Sequence, residues 1–194
     1  APRAGDPSTA RCLIFVTPDG QRTMNTFLGA SQFLPAAAID RGLIESAAIL
    51  YLEGYLWDPE EPRAAMRAAI DMARGAGRKV AFTLSDVFCI SRHGDDFRQL
   101  LSDGLIDILF ANENELLALA VEEDFQLALQ RIAEQVPLLV VTRSEKGALA
   151  IGRGQSATVA AEPIERVVDT TGAGDLFAAG FLHAQAQGMG LAES

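Results

Sequence analysis

The stretch FQLALQRIAEQVPLLVVT, residues 125–142, carries the first decision about the fold. Its first part spaces Phe125, Leu129, Ile132 and Val136 three or four residues apart, which predicts one buried face of a helix. Pro137 closes that helix, because it lacks an amide proton and its ring clashes with the preceding turn. Residues 138–142 (LLVVT) are then apolar and partly β-branched, as a strand buried on both faces requires.

Outward from this unit the same alternation repeats. Residues 47–53 (AAILYLE), 79–84 (KVAFTL) and 106–110 read as strands. Residues 59–73 read as a helix with Met66, Ile70 and Ala73 on its buried face, ended by Gly75 and Gly77. Residues 95–101 and the stretch after Asn112 also read as helices. Apolar strands alternating with amphipathic helices predict βαβ units around a mainly parallel sheet. Residues 148–152 (ALAIG) and 156–161 (SATVAA) flank Arg153-Gly154-Gln155 and predict an antiparallel excursion before a helix begins at Gly174. At the other end, extended runs 11–16 and 22–28 are joined by Thr17-Pro18-Asp19-Gly20, where Pro sets φ and Gly supplies a positive φ. A lone hairpin is not stable by itself. Residues 1–28 therefore read as an appendage to an α/β body at 29–194.

Composition narrows the function classes. Of 194 residues, 49% are apolar and 22% charged, which excludes a disordered or fibrous chain. No apolar run approaches the roughly 18 residues of a membrane span, and residues 1–10 lack the apolar core of a secretory signal. Cys12 and Cys89 lie far apart without metal-like neighbours, and read as two buried thiols in a reducing cytoplasm. The net charge is −10 with no basic stripe, so a nucleic-acid partner is not expected. An acidic protein that handles an anionic substrate must do so with backbone amides, a helix N-terminus or a metal ion.

Residues 169–175, Asp169-Thr170-Thr171-Gly172-Ala173-Gly174-Asp175, provide such a device. Residues 176–182 (LFAAGFL) are apolar on every side and read as a helix buried in the core. Small residues at its start let the amides of Gly172, Ala173 and Gly174 converge on phosphate oxygens as charge develops. Asp175 falls in the first turn, where the helix dipole favours its ionised form, as a base for a hydroxyl requires. Taken alone, Gly-x-Gly-Asp reads more readily as a capping Asp behind a flexible loop. A dinucleotide fingerprint would need a third glycine where Phe177 stands, and no P-loop pattern is present. Other residues read blandly: His93 as a loop histidine, His183 as a helical one without metal partners, Trp57 as a packing group at a strand end.

Residues 169–175 with the small, apolar helix behind them closely resemble the C-terminal signature of the PfkB (ribokinase-like) carbohydrate and nucleoside kinases. Two further matches precede it in order. Asn112-Glu113-Asn114-Glu115 resembles the family's Asn-x-x-Glu motif, and residues 140–147 (VVTRSEKG) resemble its nucleotide-holding strand and turn. The resemblance implies a ribokinase-like three-layer α/β sandwich, a mainly parallel sheet flanked by helices, with a small β lid of which residues 1–28 form part. It implies ATP-dependent phosphorylation of a hydroxyl on a sugar or nucleoside, with Asp175 as base and Gly172, Ala173 and Gly174 as the anion hole. Thr142, Ser144 and Gly147 would bind the nucleotide, and Asn112 and Glu115 would act through water on Mg²⁺. Asp169 and the Thr171 carbonyl resemble the monovalent-cation (K⁺) loop of some members. Asn112 and Glu115 also have the spacing of a helix capping box, and both roles can hold together.

Residues 51–55 (YLEGY), 22–25 (RTMN) and Ser85-Asp86 look most like bacterial members called adenosine kinase or sugar kinase, with adenosine slightly favoured. The alternative is a nucleotide-binding regulator or inactive kinase fragment without turnover. Many relatives have Gly where Ser144 stands, so the turn at 142–147 is expected to differ in shape. Arg143 and Lys146 read as solvated charges on that turn. The family's Gly-Gly sugar motif has no counterpart, and the sequence stops 19 residues after Asp175, so a kinase incomplete at both ends is expected. Lid hairpins of the family pair between subunits, and Leu13, Phe15 and Phe27 predict a homodimer through that face.

Overall fold

The computed structural model of the protein describes residues 5–152 and 154–194. Strands β1 (Arg11–Val16) and β2 (Arg22–Phe27) form an antiparallel pair joined through the predicted Pro-Asp-Gly turn. The chain then runs through α1 (Arg41–Ser46), β3 (Ile49–Glu53), α2 (Glu60–Gly75), β4 (Lys79–Thr83), α3 (Val87–Ser102), β5 (Ile108–Asn112), α4 (Glu113–Ala120), α5 (Phe125–Ala133) and β6 (Leu138–Thr142). Strands β7 (Ala148–Gly152) and β8 (Gln155–Val159) and helix α6 (Ala173–Ala186) complete it. The main sheet has order β3-β4-β5-β6-β7-β8, parallel from β3 to β6 and antiparallel beyond. Arg153, in the turn between β7 and β8, and the first four residues of the expected lid lie outside the described residues.

The period of two along each strand divides the core. Val80 and Phe82, Leu109 and Ala111, and Leu139 and Val141 point to one face, where Ala65, Met66 and Ile70 of α2, Phe97 and Leu100 of α3, Leu116 of α4 and Ala128 and Ile132 of α5 cover them. Ala81, Ile108, Phe110, Leu138 and Val140 point to the other, against Ala178 and Phe181 of α6. Burial on both faces explains why the parallel strands read as continuous apolar runs. Helices on either side of one sheet make the three layers predicted.

Several expectations need correction. Helix α3 begins at Val87, eight residues before the predicted start, because Asp86 caps it by accepting from the Phe88 amide at 2.7 Å. His93 therefore lies within a helix, not a loop, and its Nε2 is 2.8 Å from Asp58. Helix α5 ends at Ala133, ahead of Pro137. Cys89 is buried, but Cys12 is exposed, since the hairpin that carries it has no layer over it among the described residues. Helix α6 is apolar all round but rests on the sheet by one side only, and Leu176 is 76% exposed. Trp57 is the packing group expected, edge-on to Phe82 and Phe97, with its indole N–H donated to Asp96.

Candidate active site

The four parallel strands end in a row of polar residues: Glu53, Thr83, Asn112 and Thr142, with Glu53 opposite Thr83 and Asn112 opposite Thr142 in register. The carboxyl edge of such a sheet is where α/β proteins place ligands. Each strand is held there by its apolar interior, so the first residue past the core must be polar.

Asn112 is both the last residue of β5 and the N-cap of α4. Its side-chain oxygen accepts from the Glu115 amide at 2.9 Å, and the Glu115 carboxylate accepts from the Asn112 backbone and side-chain N–H groups at 3.0 and 2.6 Å. The capping box and the expected binding pair are thus one structure. Glu115 is 5% exposed, and burial pushes its carboxyl up from 4.5 to about 7. No cation pairs with it among the described ion pairs. A buried carboxylate whose oxygens each already accept one hydrogen bond fits Mg²⁺ held through water better than by direct coordination.

Asn112, Glu113, Asn114, Thr142, Arg143, Ser144, Glu145 and Lys146 line a cavity of about 330 Å³. Two motifs read separately in the sequence therefore share one cavity. Gly147 closes its turn from behind at φ +86, where an added Cβ would meet the Val159 carbonyl oxygen at 2.0 Å. Ser144 adopts φ +50, the left-handed region that glycine enters freely. Serine therefore stands here in backbone that glycine would enter without strain. Arg143 departs from the reading as a solvated charge, whereas Lys146 stays exposed beside the same carboxylate. Arg143 donates from Nε and a terminal nitrogen to Glu113 at 3.0 and 3.2 Å, and Lys146 lies 3.4 Å from both Glu113 oxygens. The Arg143 guanidinium also stacks 3.9 Å from the centroid of the Phe125 ring.

In the 169–175 segment, Asp169 accepts from the Thr171 amide and hydroxyl at 2.8 and 2.7 Å, bonds that hold its carboxyl below the usual range. Gly172 turns the chain at φ +76 into α6. The Ala173 amide is donated to the Thr170 carbonyl, whereas those of Gly174 and Asp175 meet no described backbone acceptor, as the first turn of a helix leaves them. Asp175 is exposed in that turn. The lid reaches the same segment: Arg22 of β2 donates to the Thr170 hydroxyl at 2.6 Å.

Glu53 escaped the sequence reading. On β3 it lies two residues from Tyr51, which packs edge-on against Phe110 on the α6 side of the sheet, so Glu53 projects toward the start of α6. Burial raises its carboxyl, and the charge of Asp175 raises it further. Tyr51 is pushed to about 12 by burial, then by Glu53 and Asp175, with a smaller effect from Glu115. The strand edge thus gathers carboxylates from β3, α4 and α6 in one electrostatic neighbourhood, which suits bound cations and a proton-accepting carboxylate. A charged residue ending an apolar strand was the available signal.

A mainly parallel sheet between helical layers, with a two-stranded antiparallel appendage, is the ribokinase-like architecture, and solved structures of that architecture superpose on it closely. The chain belongs to the pfkB family of carbohydrate kinases, whose family model matches residues 2–194. It is similar to an adenosine kinase from Sinorhizobium meliloti, at 45% identity and TM-score 0.93 over 96% of this chain and 57% of that one. A probable sugar kinase from Rhizobium etli CFN 42 is similar at 44% identity and TM-score 0.95, over 98% of this chain and 58% of that one. Guanosine-inosine kinase of Escherichia coli (strain K12) is 32% identical over 145 residues, which are 73% of this chain and 33% of the relative. The chain thus spans a third of that curated relative and somewhat over half of the two solved structures. No described helix is long and apolar enough to cross a membrane.

Proposed function

We propose that this chain carries the phosphoryl-transfer centre of a cytoplasmic ATP-dependent kinase that phosphorylates a hydroxyl of a sugar or nucleoside. The observation that carries the reading is the placement of Asp175. It stands in the first turn of α6, beside amides with no described backbone acceptor and near enough to Glu53 at the end of β3 for its charge to raise that carboxyl. A carboxylate oxygen of Asp175 takes the proton of the substrate hydroxyl as the hydroxyl oxygen bonds to the γ-phosphorus. The bond from the γ-phosphorus to the β–γ bridging oxygen breaks, and its electron pair leaves with ADP. Charge on the transferring group faces the amides of the 172–175 turn: those of Gly174 and Asp175 have no described backbone acceptor, Gly172 precedes them, and that of Ala173 has to leave the Thr170 carbonyl to join them. Asn112 and Glu115 would hold Mg²⁺ through water, and the ion would screen the phosphate charge. Thr142, Ser144 and Gly147 hold the nucleotide, and Asp169 with the Thr171 carbonyl forms a monovalent-cation loop.

For the acceptor, the likeness to the Sinorhizobium adenosine kinase and the Escherichia guanosine-inosine kinase supports a nucleoside, and we favour adenosine. The test is an ADP-release assay on the full-length protein with adenosine, guanosine, inosine, ribose and fructose. Asp175→Asn is expected to lower kcat at least about 100-fold with ATP affinity retained. Near-full activity in that variant removes Asp175 from the role of base. ATP binding without turnover on any acceptor replaces the kinase by a nucleotide-binding regulator.

A further inference from the structure

Glu113 has a bonding arrangement that the reaction above does not use. It is the first residue of α4, and its carboxylate projects into the cavity between β5 and the turn after β6. Two cations from that turn converge on it, and they are held differently. Arg143 is fixed twice, by two hydrogen bonds to Glu113 and by stacking on Phe125, and its side chain is only 24% exposed. Lys146 is 55% exposed and meets the carboxylate only at 3.4 Å, a long contact for an ammonium with three donors. A carboxylate and a phosphate offer an ammonium the same kind of acceptor. The volume, about 330 Å³, lies within the range of small-ligand sites.

The geometry points to Glu113 as a built-in anion that holds Lys146 at the rim of the cavity and competes for it with the phosphate chain of an incoming nucleotide. Arg143, bonded twice to Glu113 and stacked on Phe125, stays in place and keeps Glu113 positioned. Lys146, with its weaker contact, swings from the carboxylate to a phosphate oxygen. Glu113 then lowers affinity for phosphate-bearing ligands in two ways: it occupies Lys146, and it repels the polyphosphate across the cavity. This inference rests on the assignment of residues 142–147 to nucleotide binding.

The experiment is calorimetric titration of ATP into the full-length protein, as wild type, Glu113→Gln, Lys146→Ala and the double variant, each with its thermal midpoint. The wild type binds ATP, and its failure to do so would remove the nucleotide reading and this inference with it. Glu113→Gln is expected to bind about fivefold more tightly, the scale of one partly exposed charge pair. Lys146→Ala is expected to bind about tenfold more weakly, as loss of a charged hydrogen bond implies. In the double variant the gain from Glu113→Gln should shrink, because its Lys146-dependent part has no cation to release. A purely structural Glu113 predicts the opposite sign, since losing the clamp on Arg143 would weaken binding. Equal or weaker ATP binding by a folded Glu113→Gln overturns the proposal. So does unchanged binding by Lys146→Ala, whose exposed side chain is dispensable for folding.

Discussion

Ser144 and Gly147, two and five residues after Thr142, both have positive φ, yet they respond to substitution in opposite senses. Serine at φ +50 carries a cost of about 1–2 kcal/mol that glycine avoids, offset in part by glycine's freer unfolded chain. Ser144→Gly is therefore expected to raise unfolding free energy by about 0.5–1 kcal/mol in urea denaturation. Gly147→Ala adds steric overlap with the Val159 carbonyl to the same strain, and is expected to cost several-fold more. Glu115 adds a pH dependence. Its folded carboxyl titrates near 7 against 4.5, so the stability it contributes is complete below 4.5 and is lost as pH climbs through about 7. Measured without Mg²⁺, the wild type should lose stability over that interval relative to Glu115→Gln. Parallel curves for the two proteins would show that Glu115 is not desolvated as the fold places it.

At the scale of elements, what was legible depended on whether the decisive signal was local. The α5–β6 unit could be read because a helical stripe, a proline and an apolar run follow one another within 18 residues. The capping box of α4 was legible for the same reason, since its two members are three residues apart. Helix α3 was read short because Ser91, Arg92, His93 and Asp95 look like a polar loop. Their partners, Asp58 for both Arg92 and His93, come from the turn after β3 and have no local signature. For helix α6 an apolar composition does not say which neighbour covers each side; among the described residues the sheet covers one. The bond from Arg22 to Thr170 spans 148 residues and could not be read at all. It ties the hairpin to the turn whose amides we assign to the anion hole. Arg22→Ala is expected to change overall stability by less than about 0.5 kcal/mol, because the contact is exposed. It should nevertheless speed amide hydrogen exchange across β1 and β2, measured by mass spectrometry. Unchanged exchange would mean that the hairpin's own ladder, and not this contact, limits its opening.

For the whole molecule the hairpin poses a question of partners. Register places Arg11, Phe27, Leu13, Asn25, Phe15 and Thr23 on one face of the ribbon, and Cys12, Thr26, Ile14, Met24, Val16 and Arg22 on the other. Arg22 turns its face toward Thr170, so the face with Leu13, Phe15 and Phe27 is directed away from the site, and these side chains are 64%, 62% and 48% exposed. A two-stranded ribbon is marginal alone, and three large apolar side chains on its outer face invite coverage. We infer that a second copy supplies it, since a self-complementary apolar face with an unpaired strand edge suits a two-fold contact. Light scattering of the full-length protein at micromolar concentration is expected to give a dimer, and Phe15→Asp a monomer with its thermal midpoint little changed. Because the opposite face of the same ribbon touches the 169–175 segment through Arg22, loss of the dimer should also loosen that contact. The Phe15→Asp monomer is then expected to show a raised KM for the acceptor with kcat less affected. A wild-type monomer at that concentration, or a Phe15→Asp dimer, removes the hairpin from the interface.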